Sequence, residues 1–272
     1  QPDIVFNLME EFNANASLDH GLVSFLELHQ VPYTGCNPQG LILARNKALS
    51  KKILNYHSIN TARFEVFPIN GIIESRETGL NYPVIVKCLK EEGSLGLSQS
   101  SIVYNREKLI ERVKYIHKKF QVDAIAEEFI EGREFFLGLL GNQQVEALPV
   151  WELIIKNSKN PSMEFYSDQA KFNLNYRQRK GILTQKADLP ADLEKEMIKL
   201  GLETYSALQL NGYARIDFRM DKNNKVYVLE ANPNPNIALD DEFALSAQFM
   251  GLSYPNLLKK ILKLGIDWNQ VK

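Results

Sequence analysis

The 272-residue chain carries 32 Lys and Arg residues against 33 Asp and Glu residues, which gives a formal net charge of −1 at pH 7. This balance excludes the global basic excess that concentrates a protein on nucleic acid or on an anionic membrane, so we expect neither as a partner. Hydrophobic residues make up 44% of the chain, enough to fill the cores of two or three lobes.

The cysteines and the ends of the chain bear on its location. Cys36 and Cys88 lie far apart without metal-ligand spacing, and a chain of this size with two thiols is typical of a reducing compartment, so we predict the cytoplasm. The longest apolar run, residues 135–140, is too short to cross a bilayer, and no signal peptide opens the chain. The chain begins without Met and directly with the pattern of a buried strand at residues 3–7, so we expect sequence to be missing upstream.

The first half of the chain predicts an α/β lobe followed by a strand and a flexible loop. Helices are expected at residues 18–28 and from about 41 to 55. A strand behind Pro83 ends at Lys87 and leads into a Gly- and Ser-rich loop at residues 92–98. Beyond a predicted N-cap at Asn105, apolar residues recur with helical spacing and predict an amphipathic helix; they are Leu109, Val113, Ile116 and Phe120.

The second half predicts an antiparallel sheet. Its expected strands occupy residues 124–130, 134–140 and 145–155. Residues 157–186 are polar and show no clear period, which indicates a long functional loop or lid. Then follow a helix that begins at Pro190, two strands around a turn at residues 221–224, and a final helix at about 254–264.

The densest chemical signal lies in the last two strands. Period-two alternation places Arg215 and Asp217 on one face of the first strand, and Glu230 and Asn232 on one face of the second. Two carboxylates and an amide oxygen suit Mg²⁺, and an adjacent arginine can stabilise charge on a transferring phosphoryl group. A solvated hairpin is the alternative, but the apolar flanks of both strands indicate burial, where unpaired carboxylates are costly.

Phosphate recognition needs hydrogen-bond donors, and neither a P-loop nor a Gly-x-Gly-x-x-Gly motif is present. Lys87 ends its strand just before the Gly93–Gly96 segment, whose backbone N–H groups could close over phosphate oxygens. Lys47 is a second candidate. A simple hairpin connection and a solvated helix lysine are the alternatives for these two features.

Six motifs follow one another along nearly the whole chain, at residues 32–35, 46–51, 84–87, 127–134, 214–218 and 229–235. Together they resemble the D-alanine:D-alanine ligases of the ATP-grasp superfamily. The resemblance implies an α/β ATP-grasp fold with three lobes. These are a partial N-terminal α/β lobe at residues 1–45, a central lobe with the glycine lid loop at 46–126, and a C-terminal lobe with the metal site and an ω-like loop at 127–272.

The resemblance also implies a role for each site residue. The implied ATP-binding residues are Lys47, Lys87, Glu127, Phe129, Ile130, Glu134 and Lys171. The implied ligands of two Mg²⁺ ions, for which Mn²⁺ can substitute, are Asp217, Glu230 and Asn232. The implied catalytic residues are Arg215, which steadies the acyl phosphate and the tetrahedral intermediate, Lys171, which reaches the γ-phosphate from the ω-like loop, and Ser94 of the glycine loop.

The implied reaction is that of an ADP-forming carboxylate–amine ligase. An amino-acid-like acyl donor attacks the γ-phosphate of ATP, and an amine or another nucleophile then attacks the acyl phosphate in a closed, water-poor cleft. The expected partners are therefore small molecules, and because such ligases are commonly dimers, a homodimer is one expectation.

Several positions depart from the family pattern. Gly93 replaces the first serine of the glycine loop, Phe172 replaces the ω-loop tyrosine, and Asn236 replaces a glycine whose N–H faces the oxyanion. Asp241 stands where a serine holds the carboxylate of the second substrate, and with Asp240 it would repel a carboxylate and favour a cation.

These departures leave three functions open. The first is a ligase with an amino-acid acceptor, in which the departures are neutral drift. The second is a ligase with a hydroxy-acid or cationic amine acceptor, and the third is an ATP-binding regulatory protein or pseudoenzyme. The intact set of Arg215, Asp217, Glu230 and Asn232 argues against the third.

Overall fold

A computed structural model gives the structure of the chain and describes residues 2–9, 11–12, 16–73, 78–90 and 96–268. The helices are α1 Asp19–Leu28, α2 Pro38–Arg45, α3 Lys47–Tyr56, α4 Arg106–Phe120, α5 Asp168–Phe172, α6 Leu174–Lys180, α7 Ala191–Ala207, α8 Glu242–Phe249 and α9 Tyr254–Asp267. The strands are β1 Phe64–Phe67, β2 Val84–Cys88, β3 Ile102–Val103, β4 Ala124–Glu128, β5 Arg133–Leu140, β6 Glu146–Ala147, β7 Trp151–Ile155, β8 Ile182–Lys186, β9 Tyr213–Met220 and β10 Val226–Pro233.

The N-terminal region differs from the sequence prediction at two points. The predicted strand at residues 3–7 is wrong, because Val5 makes only an isolated parallel bridge to Tyr33. Pro32 accepts a hydrogen bond from the Val5 N–H but has no N–H to extend a ladder. The single helix predicted at 41–55 is two helices, since Asn46 adopts an extended conformation and its side chain accepts the Leu49 N–H as the N-cap of α3.

A four-stranded antiparallel sheet has the strand order β1-β4-β2-β3. Helix α4 packs against it with the apolar stripe predicted from the sequence, and Leu109, Val113 and Ile116 are buried there. Strand β1 was not predicted, and it is only four residues long. The expected strand at 124–130 ends two residues earlier, as β4.

A second antiparallel sheet has the order β10-β9-β5-β7-β8, with β6 paired to β5. Strands β9 and β10 form the predicted hairpin, in which Asp217 is opposite Glu230 and Arg215 is opposite Asn232. Helix α7 contacts β5, β9 and β10, and the core beneath it contains Leu137, Ile216 and Met197. All eight residues of β9 are buried, so the polar face of this hairpin lies inside the protein.

The polar segment 157–186 is more ordered than the sequence predicted. It contains two short helices, α5 and α6, and the edge strand β8, which pairs with β7 along its whole length. Ser167 and Asn173 cap the two helices through their side chains, and Gly181 ends α6 with a left-handed conformation at φ 61°. We refer to residues 165–180, which carry both helices, as the lid segment.

Two helices complete the chain. Helix α8 was not predicted, and its side chains Phe243, Ala244 and Ala247 pack with α9 in a separate apolar cluster. Helix α9 confirms the predicted C-terminal helix and extends it to Asp267. No helix in the described ranges combines the length and the apolar character needed to span a membrane.

Candidate functional site

A cleft opens between the two sheets. The four-stranded sheet contributes residues of β2 and β4, the six-stranded sheet contributes residues of β5, β9 and β10, and the lid segment contributes Phe165, Tyr166 and Lys171. Lys47, at the first position of α3, completes the charged part of the wall.

Buried charges surround Glu127 on β4. The Glu127 Oε2 atom is 3.2 Å from Lys87 Nζ and 3.4 Å from Lys51 Nζ, and Lys51 also donates to the Leu229 carbonyl at 3.1 Å. Burial alone would raise the pKa of Glu127, but the two lysines hold it below its usual value. Burial lowers the pKa of Lys51 despite the attraction of Glu127.

The β9–β10 hairpin brings Arg215, Asp217 and Asn232 into direct contact. Arg215 donates to both carboxylate oxygens of Asp217, at 2.7 and 3.0 Å, and the Asn232 amide donates to Asp217 Oδ2 at 3.0 Å. Burial raises the pKa of Asp217 more than the guanidinium lowers it. The pKa of Arg215 lies above its ordinary value because the attraction of Asp217 outweighs burial, so Arg215 remains charged.

Glu230 faces the lysines from β10. Its carboxylate is 3.7 Å from Lys47 Nζ. Burial would raise the pKa of Glu230, but Lys47, Lys87 and Lys171 lower it to about 2, so the group is ionised at neutral pH. Positive charge from three separate elements therefore converges on one carboxylate of the cleft wall.

Arg219 is a site residue that the sequence prediction missed. It lines the cleft, and its guanidinium carbon lies 4.7 Å from the centre of the Phe129 ring. Its Nη1 atom lies 3.7 Å from Glu134 Oε2. It also donates to three backbone carbonyls, of Gly132, Ser162 and Glu164, and so ties the hairpin to the region before the lid segment. The same period-two alternation that selected Arg215 and Asp217 places Arg219 on their face and could have identified it.

Tyr166 and Glu242 are two further residues that the sequence did not reveal. The Tyr166 hydroxyl donates to Glu242 Oε1 at 2.8 Å, and Arg215 is 3.7 Å from Glu242 Oε2. Glu242 begins α8, directly after its N-cap Asp241. Neither residue belongs to a local pattern that indicates a site, because only the tertiary fold brings them to Arg215.

Most residues predicted from the sequence meet in this one region. The cleft is lined by Lys47, Lys87, Glu127, Phe129, Ile130, Glu134, Lys171, Asp217 and Glu230, and the hydrogen bonds of Asp217 add Arg215 and Asn232. Ser94 and Gly93 lie outside the described residues, and so does the side chain of Phe172. Asn236 donates to Asp241 Oδ2 at 2.5 Å, which joins two of the positions that depart from the family pattern.

A metal centre is not evident from carboxylates alone. Within the ranges that the structure describes, no three His, Cys, Asp or Glu side chains form a group that could hold a metal ion. The predicted ligand set contains two carboxylates and one amide. Both oxygens of Asp217 accept hydrogen bonds from neighbouring side chains.

Comparison with known proteins gives a consistent result. Residues 52–263 match the family model described as D-ala D-ala ligase C-terminus. The chain is 33% identical over 262 residues to the protein y4sG of Sinorhizobium fredii, covering 96% of this chain and 74% of that protein. It is 30% identical over 276 residues to a D-alanine–D-alanine ligase of Halothermothrix orenii, covering 97% and 74% of the two chains.

A solved structure supports the fold independently. The D-alanine–D-alanine ligase of Bacillus anthracis, solved in complex with ATP, superposes with a TM-score of 0.73 at 24% identity, covering 90% of this chain and 74% of the other. At this level of identity the likeness concerns the fold. It confirms the ATP-grasp fold predicted from the sequence.

Proposed function

The chain belongs to the D-alanine–D-alanine ligase family, and on this premise we propose that it is an ATP-dependent ligase that activates a carboxylate donor and joins it to a nucleophilic acceptor. The observation that carries the proposal is the arrangement of the cleft. Lys47, Lys87 and Lys171 line it together with Asp217 and Glu230, and Arg215 binds Asp217. Mere nucleotide binding would not require the arginine and both carboxylates.

The composition of the cleft suits the adenine of ATP at one end. Ile85, Leu97, Phe129 and Phe165 form an apolar cluster that borders the cleft. Beside it, Glu127 Oε1 is buried and has no hydrogen-bond donor among the described residues. An adenine amino group would supply such a donor, which removes the cost of a buried unpaired acceptor. The related Bacillus anthracis ligase was solved with ATP.

The charged end suits the triphosphate and a divalent cation. We propose that Lys47, Lys87 and Lys171 contact the phosphates, and that Asp217, Glu230 and the Asn232 amide oxygen hold Mg²⁺, with Mn²⁺ as a substitute. Hard oxygen ligands of this type leave coordination positions for phosphate and water. Asn232 donates its amide nitrogen to Asp217 in this structure, so ligation through oxygen requires a flip of the amide. When bound, the cation neutralises phosphate charge.

The proposed reaction has two steps. A donor carboxylate oxygen forms a bond to the γ-phosphorus while the bond from that phosphorus to the bridging oxygen breaks, and ADP leaves. The acceptor then bonds to the acyl carbon and loses its proton. The bond from the acyl carbon to the phosphate oxygen breaks, and inorganic phosphate leaves. Arg215 lies beside Asp217 at this end and can stabilise the negative charge of both transition states, while the largely buried walls limit attack by water.

The acceptor side favours a second candidate within the same reaction class. Glu242 is buried next to Arg215, and Asp241 precedes it. No basic side chain in the described part of the chain forms an ion pair with Asp241. Asp240 and the ionised form of Asp241 would oppose an acceptor carboxylate, so we propose that a cationic amine is accepted more readily than D-alanine. A hydroxy-acid acceptor is the alternative that Phe172 suggests.

The proposal is tested by measuring phosphate release from MgATP with a panel of D- and L-amino acids, hydroxy acids and amines, together with hydroxylamine. Hydroxylamine traps an activated acyl group as a hydroxamate whatever the natural acceptor is. Asp217→Asn should reduce turnover by at least a hundredfold, whereas Asp192→Asn, an exposed carboxylate on α7, should not change it. Absence of donor-dependent release and of hydroxamate would instead favour a nucleotide-binding pseudoenzyme.

The cellular location and the assembly state are further proposals. We propose a cytoplasmic protein, because Cys36 and Cys88 are both buried free thiols. A homodimer remains our expectation for its assembly, and sedimentation of the purified protein tests it.

A further inference from the structure

Glu242 is a buried carboxylate that lies outside the cleft lining and has no role in the reaction described above. It is 5% exposed and occupies the first position of α8. Tyr166 donates to one of its oxygens at 2.8 Å, and Arg215 lies 3.7 Å from the other. A buried carboxylate is costly unless it is paired, so the local contacts must compensate for its burial.

These contacts join three separate parts of the protein. Arg215 belongs to β9 at the reacting end of the cleft, and Tyr166 belongs to the lid segment. Arg177 on α6 also donates to the Tyr166 hydroxyl, at 3.3 Å. Lys171 lies 5.3 Å from the centre of the Tyr166 ring, so the lysine proposed to contact phosphate depends on the same anchor.

Glu242 is charged in this arrangement. Burial would raise its pKa, but the hydrogen bond with Asp241 and the charge of Arg215 lower it to about 2. An ionised carboxylate forms a stronger hydrogen bond with the tyrosine hydroxyl than a neutral acid does.

Arg215 needs a second carboxylate for a geometric reason. It occupies both oxygens of Asp217, and these are the oxygens that the proposed Mg²⁺ would use. If Asp217 turned to a cation, the guanidinium would lose its bidentate partner. Glu242 lies on its other side and can retain it beside the reacting atoms.

We propose that Glu242 is a positioning residue that holds Arg215 at the reacting end of the cleft and, through Tyr166, latches the lid segment that carries Lys171. The part that concerns turnover rests on the proposed function, whereas the latch itself does not. Two variants separate the two contacts: Glu242→Gln removes the charge that attracts Arg215, and Tyr166→Phe removes the hydroxyl link but keeps the ring.

The first test is limited trypsin digestion with mapping of the cleavage sites. We expect both variants to increase cleavage after Lys171, Arg177, Arg179 and Lys180 at least tenfold, because a hydrogen bond to a charged group is lost. Cleavage after Lys195 and Lys199 on α7, measured in the same digest, should change less than twofold and reports global unfolding. Glu203→Gln, an exposed carboxylate on α7, is the matched control and should leave the lid sites unchanged.

The second test measures steady-state kinetics with the donor that supports phosphate release. Glu242→Gln should lower kcat at least tenfold, whereas its KM for ATP should rise no more than that of Tyr166→Phe, since both variants loosen Lys171. Tyr166→Phe should lower kcat less, because Arg215 keeps its partner.

The outcomes are distinguishable. If the lid sites of both variants are cleaved at the parent rate, or if all sites accelerate equally, the latch is wrong. If Glu242→Gln keeps the parent kcat, or raises only the KM for ATP, the positioning of Arg215 is wrong. If the parent protein shows no donor-dependent turnover, the proposed function fails, while the digestion result still decides the latch.

Discussion

Glu127 is the residue on which the charges at the base of the cleft depend. Its carboxylate faces two lysines, and Lys51 among them is only 1% exposed. Removing one member of a buried charge set leaves the others uncompensated, which costs more than the set contributes as a whole.

We therefore expect Glu127→Gln to lower the free energy of unfolding by about 3 kcal/mol, because the buried Lys51 and Lys87 lose the carboxylate that they contact directly. Urea unfolding measures the change. Glu111→Gln, which removes the exposed partner of Lys108, should have no measurable effect. Equal stability of the two variants would contradict the ionic interpretation of this cluster.

Asp241 gives a prediction for pH dependence. Burial, reinforced by Glu242, raises its pKa from the ordinary 3.8 to about 7. A raised carboxylate pKa means that the folded state binds the proton more tightly than the unfolded state, so this contribution to stability is complete below pH 3.8 and is lost as the pH rises through 7.

Asp241→Asn should remove this loss of stability at high pH, because asparagine does not titrate. Asparagine is an equally good N-cap, so the start of α8 is kept. The stability of the variant relative to the parent should therefore rise between pH 4 and pH 8 in urea unfolding. A difference that is constant across this range would contradict the raised pKa.

The sequence predicted some site residues and missed others for a physical reason. Alternation along two adjacent strands is a local property, and it correctly placed Arg215, Asp217 and Asn232 together. Tyr166 and Glu242 are 76 positions apart, and their contact depends on how the lid segment packs against α8. No local pattern encodes such a contact.

At the scale of elements, the break between α2 and α3 positions a proposed phosphate ligand. Asn46 ends α2 in an extended conformation and caps α3, whose first residue is Lys47. The sequence alone predicted one continuous helix here, because the apolar periodicity runs through the break.

Asn46→Ala should cost about 1 kcal/mol of stability through the lost cap, and it should also raise the KM for ATP because Lys47 is no longer fixed. Asn105→Ala is the matched control: it removes an equivalent cap from α4, whose Asn105 side chain accepts from the Lys108 N–H. The control should lose similar stability and keep the KM for ATP. An equal effect of both variants on KM would contradict a positioning role for the cap.

Long amphipathic or strongly alternating elements were predicted well, and short ones were not. Helices α4 and α7 and the β9–β10 hairpin confirmed the expected pattern, since each buries a continuous apolar face. Helices α5 and α6 are five and seven residues long, so their side-chain caps and tertiary contacts define them more than periodicity does.

At the scale of the whole molecule, the cleft lies between a four-stranded and a six-stranded sheet. We retain three lobes at residues 1–45, 46–126 and 127–272 as a proposal. The second boundary lies within β4, and a boundary after Glu128 would keep the four-stranded sheet intact.

MgATP should stabilise the whole fold, because both sheets line the cleft that we propose binds it. At a ligand concentration of about 100 times Kd, the expected gain is about 2.7 kcal/mol. In Asp217→Asn, the increase in stability caused by ATP without metal should persist. The additional increase in stability caused by Mg²⁺ should disappear. Thermal unfolding measures these increases in stability in the presence of ATP, of Mg²⁺ and of both. A Mg²⁺ effect of the same size in the variant would contradict the proposed metal ligands.

In the proposed reaction, a donor carboxylate is activated by phosphoryl transfer before the acceptor attacks. The most direct measurement labels the carboxylate of the active donor with ¹⁸O and determines the mass of the phosphate released. We expect one ¹⁸O atom from each donor to appear in inorganic phosphate, because the carboxylate oxygen bonds to phosphorus and leaves with it. Phosphate that carries no ¹⁸O, although ATP is consumed and product forms, would contradict the proposed reaction.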